Sequence, residues 1–351
     1  MRDVWILGGP CSKCDDILWK LTGLDMSRTF LTGIRLRLSL AVLLGVASGC
    51  SMFVKPRIFY INSYHEGYGS SDEVMQGIRE TLMPTNARLH VFFMDTKRRR
   101  EPEFIEGRIR AVLAGIREFR PTVIVAFGDE AVRYVVARYF REGPIPVVFC
   151  GMSWDCEQYG LPTRNVTGMV EVLPAAETIM ALKKYYPQSK TLTVLSGSTT
   201  AQQSNREFLD PVYAQLGLEV SYAIVETYEQ WKAGFARANE GADLVFVATN
   251  EAIEGWDDAD ARAFVKEKIR VPVFACDDFM MPYAVFGLTK VDKEQGVWAA
   301  KTALAIHRGK RPKDIPVVHN RQVKAYFNPV LAEKVGFKPD QELLAQCAVV
   351  R

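Results

Sequence analysis

The sequence has no hydrophobic run long enough to cross a bilayer. The nine-residue apolar stretch Leu38–Val46 would rise only about 14 Å as a helix. Charge of one sign is scarce too. The formal net charge is +3 over 351 residues, and Met1–Gly49 alone holds six Lys/Arg against four Asp. The remainder is left near neutral, which removes any electrostatic case for nucleic acid. Basic Lys97–Arg100 is the local exception and reads as a solvated loop after a strand. The four histidines, His65, His90, His307 and His319, are too dispersed for a His-rich metal site, and no metal or cofactor is expected. No GxSxG, HExxH or dinucleotide-binding fingerprint occurs, and no low-complexity linker interrupts Arg57–Phe337. Among the seven cysteines, Cys11 and Cys14 form a lone CxxC without a second pair, and Cys150, Cys156, Cys276 and Cys347 show no disulfide-framework spacing.

What is present begins with a leader. Arg35 and Arg37 precede Leu38–Val46, and Ala47-Ser48-Gly49 then lead to Cys50, the layout of a secretory signal. Small residues directly before Cys resemble the lipobox of bacterial lipoproteins, although Ala47 stands where that pattern usually has Leu. The resemblance implies lipidation at Cys50, with a plainly cleaved signal or a retained anchor as alternatives. Residues 1–49 are thus read as leader, and Met26 as a candidate true start.

The main signal is a passage that occurs twice. Thr122–Ala131 (TVIVAFGDEA) leads through a helical stretch to Ile145–Gly151 (IPVVFCG). Ala242–Ala252 (ADLVFVATNEA) leads through a charged helical stretch to Arg270–Asp277 (RVPVFACD). Each copy reads as a buried strand, a polar turn opening a helix, and a second buried strand after Pro. The doubling predicts two similar α/β lobes facing each other.

Around these copies, apolar runs alternate with helical patterns, the mark of βαβ units and parallel sheets. Strands are expected at Arg57–Asn62, Arg88–Met94, Thr122–Phe127 and Pro146–Cys150. Helices are expected at a capping box Ser70–Glu73 carrying Val74, Ile78 and Leu82, at Glu103–Phe119 and at Asp129–Phe140. Asn165–Gly168 reads as a polar link to a helix at Ala175–Tyr186. A second series of strands and helices follows to Val291, then a helix Lys293–Arg308 with Val297, Lys301 and Leu304 on its face. Ile315–Val318 reads as a final strand and Pro329–Val335 as a last helix; Lys338–Arg351 carries little signal.

Ligands of open α/β sheets sit beyond strand C-termini, against helix N-termini that favour anions. Four turns qualify: Asn62–Asp72, Gly128–Glu130, Ser196–Thr200 and Thr249–Glu251. Ser196-Gly197-Ser198-Thr199 offers hydroxyls and a close backbone approach for a carboxylate. Tyr64, His65, Tyr68, Trp154, Phe279 and Tyr283 offer aromatic walls, and Asp129, Glu130, Asp277 or Asp278 could accept from an ammonium group. Cys150 and Cys276 end equivalent strands, as two-thiol racemases require. The flanking Gly-Met and Asp-Asp are not those of such enzymes, and small buried thiols are the competing reading.

NVTGMVEVLPAAETIMALKKYYPQSKTLTVL and VPVFACDDFMMPYAVFGLTKVDKEQGVWAAKTALAIHRGKRPKDIPV resemble the ABC transporter substrate-binding proteins whose better-known members take aromatic amino acids. FYINSYHEGYGSSDEVMQGI is similar to the first strand and turn of a subgroup, some of it fused to sensor kinases. The resemblance implies a type I periplasmic binding fold, with two Rossmann-like lobes joined by three crossovers. Lobe 1 would be 57–167 plus 292–309, and lobe 2 would be 168–291 plus 310–351. Family roles carried over by position fall on Ser63, Tyr64, Ser71, Gly128 and Asp129 in lobe 1, and on Ser196–Thr199, Asn250 and Asp277 in lobe 2. The implied function is a lipid-anchored, extracytoplasmic, monomeric solute-binding protein without catalytic activity, serving a membrane permease. Its ligand would be a small carboxylate-bearing, amino-acid-like molecule. A sensory partner of a separate receptor kinase is the alternative.

Overall fold

Two parallel sheets, each wrapped by helices, make up residues 55–350, which a computed structural model describes. The expectations for the leader, for Cys11 and Cys14, for Met26 and for lipidation at Cys50 lie outside the described residues. The chain runs β1 (Arg57–Asn62), α1 (Gly69–Leu82), β2 (Arg88–Phe93), α2 (Pro102–Phe119), β3 (Val123–Phe127), α3 (Asp129–Ala131), β4 (Val147–Ser153) and β5 (Val166–Glu171). It continues with α4 (Ala175–Lys183), β6 (Thr191–Gly197), α5 (Thr200–Gln215), β7 (Glu219–Val225), α6 (Tyr228–Gly241), β8 (Leu244–Val247), α7 (Asp258–Lys268), β9 (Val273–Phe274) and β10 (Phe286–Lys290). The last part is α8 (Asp292–His307), β11 (Val318–His319), β12 (Val323–Phe327), α9 (Pro329–Val335), α10 (Gln341–Gln346) and β13 (Cys347–Val349).

The first sheet has the order β11-β5-β4-β3-β1-β2 and the second β13-β12-β10-β9-β8-β6-β7. Apart from β12, which pairs antiparallel with β10, neighbours run parallel. Setting β3 on β8 superposes the two orders, so the doubled passage is the central strand of each lobe and its neighbour. Every residue of β3, β4 and β8 is buried. Strands covered on both faces must be apolar throughout, which is why they read as unbroken runs. The chain crosses between sheets three times, after Glu171, at Val291 and at Asn320–Gln322. Asn320 ties two of the crossings: its Oδ1 accepts from Val172 N (2.7 Å) and its Nδ2 donates to Val172 O (3.1 Å). Val291 N donates to Gln322 O, which links the second crossing to the third.

Several details differ from the sequence reading. Asn165–Gly168 is no link but the start of β5, so the first sheet runs on to Glu171 and also takes up β11. Residues 168–171 and 318–319, expected with the second lobe, thus pair in the first sheet. β12 and β13 were not expected: every residue of both is half-buried or exposed, so they lack the apolar run of a central strand. No capping box forms at Ser70–Glu73, because α1 begins earlier, behind Tyr68. Val132–Phe140, expected as α-helix, continues α3 with π-winding. The turn after β8 does not open a helix directly; α7 starts only at Asp258. α8 buries Gly296, Ala299, Ala300 and Ala303 against the first lobe, while Lys301 is exposed. Leu304 is buried with these small residues as expected, while Val297 is only half-buried.

Candidate functional site

The C-terminal strand ends of both sheets open onto one cavity. Tyr64, Tyr68 and Ser70 follow β1, Ser153 ends β4, and Glu171 ends β5. From the other lobe come Thr199, Ala201, Gln202 and Asn205 after β6, Thr249 and Glu251 after β8, Asp277 after β9, and Lys290 at the end of β10. The cavity measures about 30 Å³, room for about one water. Contacts between the lobes keep it shut: Tyr68 Oη donates to Glu251 (3.2 Å), and Trp154 Nε1 donates to Asn205 (2.6 Å). A larger recess of about 670 Å³ lies outside it, with Lys97, Arg98 and Arg100 on one side and Glu226, Glu251 and Glu254 on the other.

The tyrosine wall is held from below. Asn62 Nδ2 donates to Ser71 Oγ (2.7 Å) while its Oδ1 accepts from Tyr64 N (2.9 Å). Ser63 Oγ donates to Phe127 O and accepts from Ala131 N, fastening this turn to the start of α3. Gly128 must be glycine there: its φ is +89°, and a Cβ would lie 2.7 Å from Ser63 Oγ. Held in this way, Tyr64 and Tyr68 stack face to face, with ring centroids 4.7 Å apart and planes at 5°.

Two buried ammonium groups organise the charge. Lys97 Nζ lies 3.1 Å from Glu130 and 3.6 Å from Glu251, bridging the lobes, and 5.1 Å from the centre of the Tyr64 ring. Lys290 Nζ contacts Asp277 (2.9 Å), Glu171 (3.5 Å) and Asp292. Carboxylates hold both lysines well above their ordinary range against the opposing effect of burial, so both stay charged. The carboxyls respond the other way. Burial pushes Asp129 up to about 6, although Lys97 and hydrogen bonds from Ser153 N and Oγ oppose it. Burial pushes Glu171 up to about 8, with Lys290 opposing and Asp292, Asp277 and Asp129 adding to the rise. Asp277 is raised by burial as well.

Of the residues singled out in the sequence, Tyr64, Tyr68, Thr199 and Asp277 line the cavity. Thr199 also caps α5, its Oγ1 accepting from Gln202 N (2.9 Å). Asp129 reaches the cavity through Ser153. Trp154 joins the lobes through Asn205 and stacks on Phe208. Ser63, Ser71 and Ser196 are buried and spend their hydroxyls within the scaffold. Gly128 and Gly197 serve close backbone packing, the latter against Ala252. His65, Ser198 and Asn250 do not line the cavity; His65 faces Asp95 at 3.9 Å, and burial lowers its pKa.

Lys97, read as part of a solvated loop, is instead 2% exposed at the centre of the interlobe charge. Glu171, Lys290, Ser153 and Asn205 were not singled out, whereas Glu251 ends the expected turn Thr249–Glu251. For Glu171 and Lys290 a signal existed: each is a charge that ends an otherwise apolar parallel strand. Cys150 and Cys276 are fully buried, and burial lifts both thiols far above their ordinary range. Thiols held neutral in this way are poor bases, which opposes two-thiol chemistry. Among the described residues no helix is long and apolar enough to cross a membrane.

A sequence model of the ABC transporter substrate-binding protein family matches residues 70–351. No curated protein sequence matches the chain. Among solved structures, a conserved domain protein from Vibrio cholerae is similar with TM-score 0.69 at 18% identity, covering 85% of this chain and 100% of that one. The ABC domain from Streptococcus pneumonia in complex with L-Trp gives TM-score 0.65 at 15% identity, over 85% of this chain and 100% of that one. A substrate-binding protein with adhesive properties from Clostridium difficile, in a ligand-free, open structure, gives 0.61 at 17%, over 85% and 99%. At these identities the likeness speaks for the fold.

Proposed function

Because the chain belongs to the ABC transporter substrate-binding protein family, we propose that it captures a small amino-acid-like solute between its lobes outside the cytoplasm and presents it to a membrane permease. The observation that carries this reading is the convergence of both sheets' strand ends on one polar cavity, across three crossings tied to each other. The N-terminus of α5 faces the cavity through Thr199 and Gln202 and suits a carboxylate. Glu171, Glu251 and Asp277 suit an ammonium group, and the stacked Tyr64 and Tyr68 suit an apolar or aromatic body. The leader sequence supports tethering through lipid on Cys50.

A solute that binds only the closed lobes stabilises them by mass action. Amino acids should therefore raise the melting temperature and, in wild type, change the tryptophan fluorescence of Trp154. At a hundredfold excess over Kd the gain is about 2.7 kcal/mol. Trp154→Phe should keep the thermal shift and lose most of the fluorescence change. If sugars stabilise the protein and amino acids and amines do not, the amino-acid-like reading is wrong.

A further inference from the structure

We propose that the solute is a small organic cation, with more amine or guanidine groups than carboxylates, held by the carboxyls of Glu171, Asp277 and Glu251. This deepens the solute-binding reading and rests on it.

The argument is a charge balance in a closed space. Six carboxyl groups, those of Asp129, Glu130, Glu171, Glu251, Asp277 and Asp292, surround the cleft, and among the described residues Lys97 and Lys290 are the cations in ion-pair contact with them. Asp129, Glu130, Asp277 and Asp292 are each less than 9% exposed, so water does little to relieve the excess. The arginines after Lys97 do not help, since Arg98, Arg99 and Arg100 are all exposed and none lines the cavity. The anion-favouring feature of the cleft, the head of α5, leaves room for one carboxylate at most. A net anion would add to the uncompensated charge, whereas a net cation offsets it. Among the described residues the carboxyls do not converge as metal ligands, so their arrangement fits an extended organic cation better than a metal ion. Lys97 already shows how a cation fits: one ammonium between Glu130 of the first lobe and Glu251 of the second, beside the Tyr64 ring.

A proton marks the same balance. Glu171 faces Lys290, Asp277 and Asp292, accepts from Gln295 Nε2 (2.8 Å), and feels Asp129. With its carboxyl held up at about 8 by burial, it takes up a proton far more readily near neutral pH than an ordinary glutamate. An arriving cation favours the ionised form and expels that proton. Affinity should then rise as pH increases from 6 to 8, by up to about tenfold per unit.

The experiment is calorimetry on the purified protein with two matched series: agmatine, arginine and citrulline, and tryptamine, tryptophan and indole-3-propionate. The expected result is affinity that follows net charge in at least one series, with the decarboxylated amine about tenfold or more tighter than its parent amino acid. Binding of that amine at pH 7 should release protons, seen as an enthalpy that changes with the buffer's ionisation heat. Glu171→Gln, which keeps the side chain's shape, should weaken the amine about tenfold and abolish the buffer dependence. Tighter binding of tryptophan or citrulline than of the amines, or any binding of indole-3-propionate, overturns the cation inference and leaves the solute-binding reading standing. If neither series binds, the cation inference fails. If a wider screen of sugars and nucleosides fails as well, the solute-binding reading falls with it.

Discussion

Replacing Lys290 by Met should remove about 3–5 kcal/mol of unfolding free energy at pH 8, and markedly less at pH 5. Lys290 is 6% exposed and its ammonium serves three carboxyls: Glu171 of the first sheet, Asp277 of the second and Asp292 at the head of α8. Met fills most of the same volume, so the loss isolates the charge. Without the ammonium the three carboxyls face one another in a space with little water, and the way out for Glu171 and Asp277, both already raised by burial, is to take up protons. A carboxyl whose folded pKa lies above its unfolded value binds its proton more tightly in the folded state. The stability it contributes is present at low pH and is lost as pH rises through the folded value. Glu171 already stands at about 8 against 4.5 for the unconstrained group and takes up its proton below that in wild type, so the variant's added loss between pH 5 and 8 falls on Asp277, whose rise through burial Lys290 opposes. The variant's deficit should widen steadily across that range. Urea unfolding at pH 5, 6.5 and 8 would measure this. A loss that stays constant with pH would mean that Lys290 acts by packing. A loss under about 1 kcal/mol at pH 8 would place the cluster in water.

The position of that cluster explains why the scaffold was easier to read than the site. β1 and α9 fall where the apolar periodicity places them, because each is defined by its own residues. The doubled passage marks the two central strands for the same reason, since burial on both faces demands apolar residues at every position. The site depends on what three chain crossings bring together. Glu171 and Lys290 lie 119 positions apart and meet only because the chain leaves the first lobe after one and re-enters it after the other. Lys97 is hidden more thoroughly, since its neighbours Arg98 and Arg99 are solvated and the run reads as a basic loop. Ser63 and Ser71 show the opposite error. They sit in the expected turn, but their hydroxyls hold the turn's backbone in place. A polar residue at a strand end can face the ligand or brace the loop that does, and the sequence shows the same signal for both.

Gly296→Ala should destabilise the protein by about 3 kcal/mol, the reverse of what the substitution does in an ordinary helix. Ala in place of Gly within a helix typically gains about 1 kcal/mol. At Gly296 a Cβ would lie 1.9 Å from Val74 O and 2.8 Å from Val74 C, both backbone atoms of α1 that cannot rotate aside. The contact is reciprocal, for a Cβ at Gly77 would lie 2.5 Å from Lys293 O and 2.9 Å from Val297 N. The two helices thus cross backbone on backbone, and an added methyl must drive them apart. Separation would pull Val74 and Ile78 on one helix, and Ala299, Ala300 and Ala303 on the other, out of packing that leaves each of them fully buried. It would also reach the site, since α8 begins with Asp292 and carries Gln295, whose side chain bonds Glu171 and Gly151 N. Gly107→Ala in α2 is the matched control. A Cβ there meets only the tip of Arg110 at 3.9 Å, so the ordinary gain should return. Chemical denaturation of the two variants should therefore move the midpoint in opposite directions. A neutral Gly296→Ala would show that α1 and α8 can slide apart without loss, and that their close crossing does not hold the first lobe together.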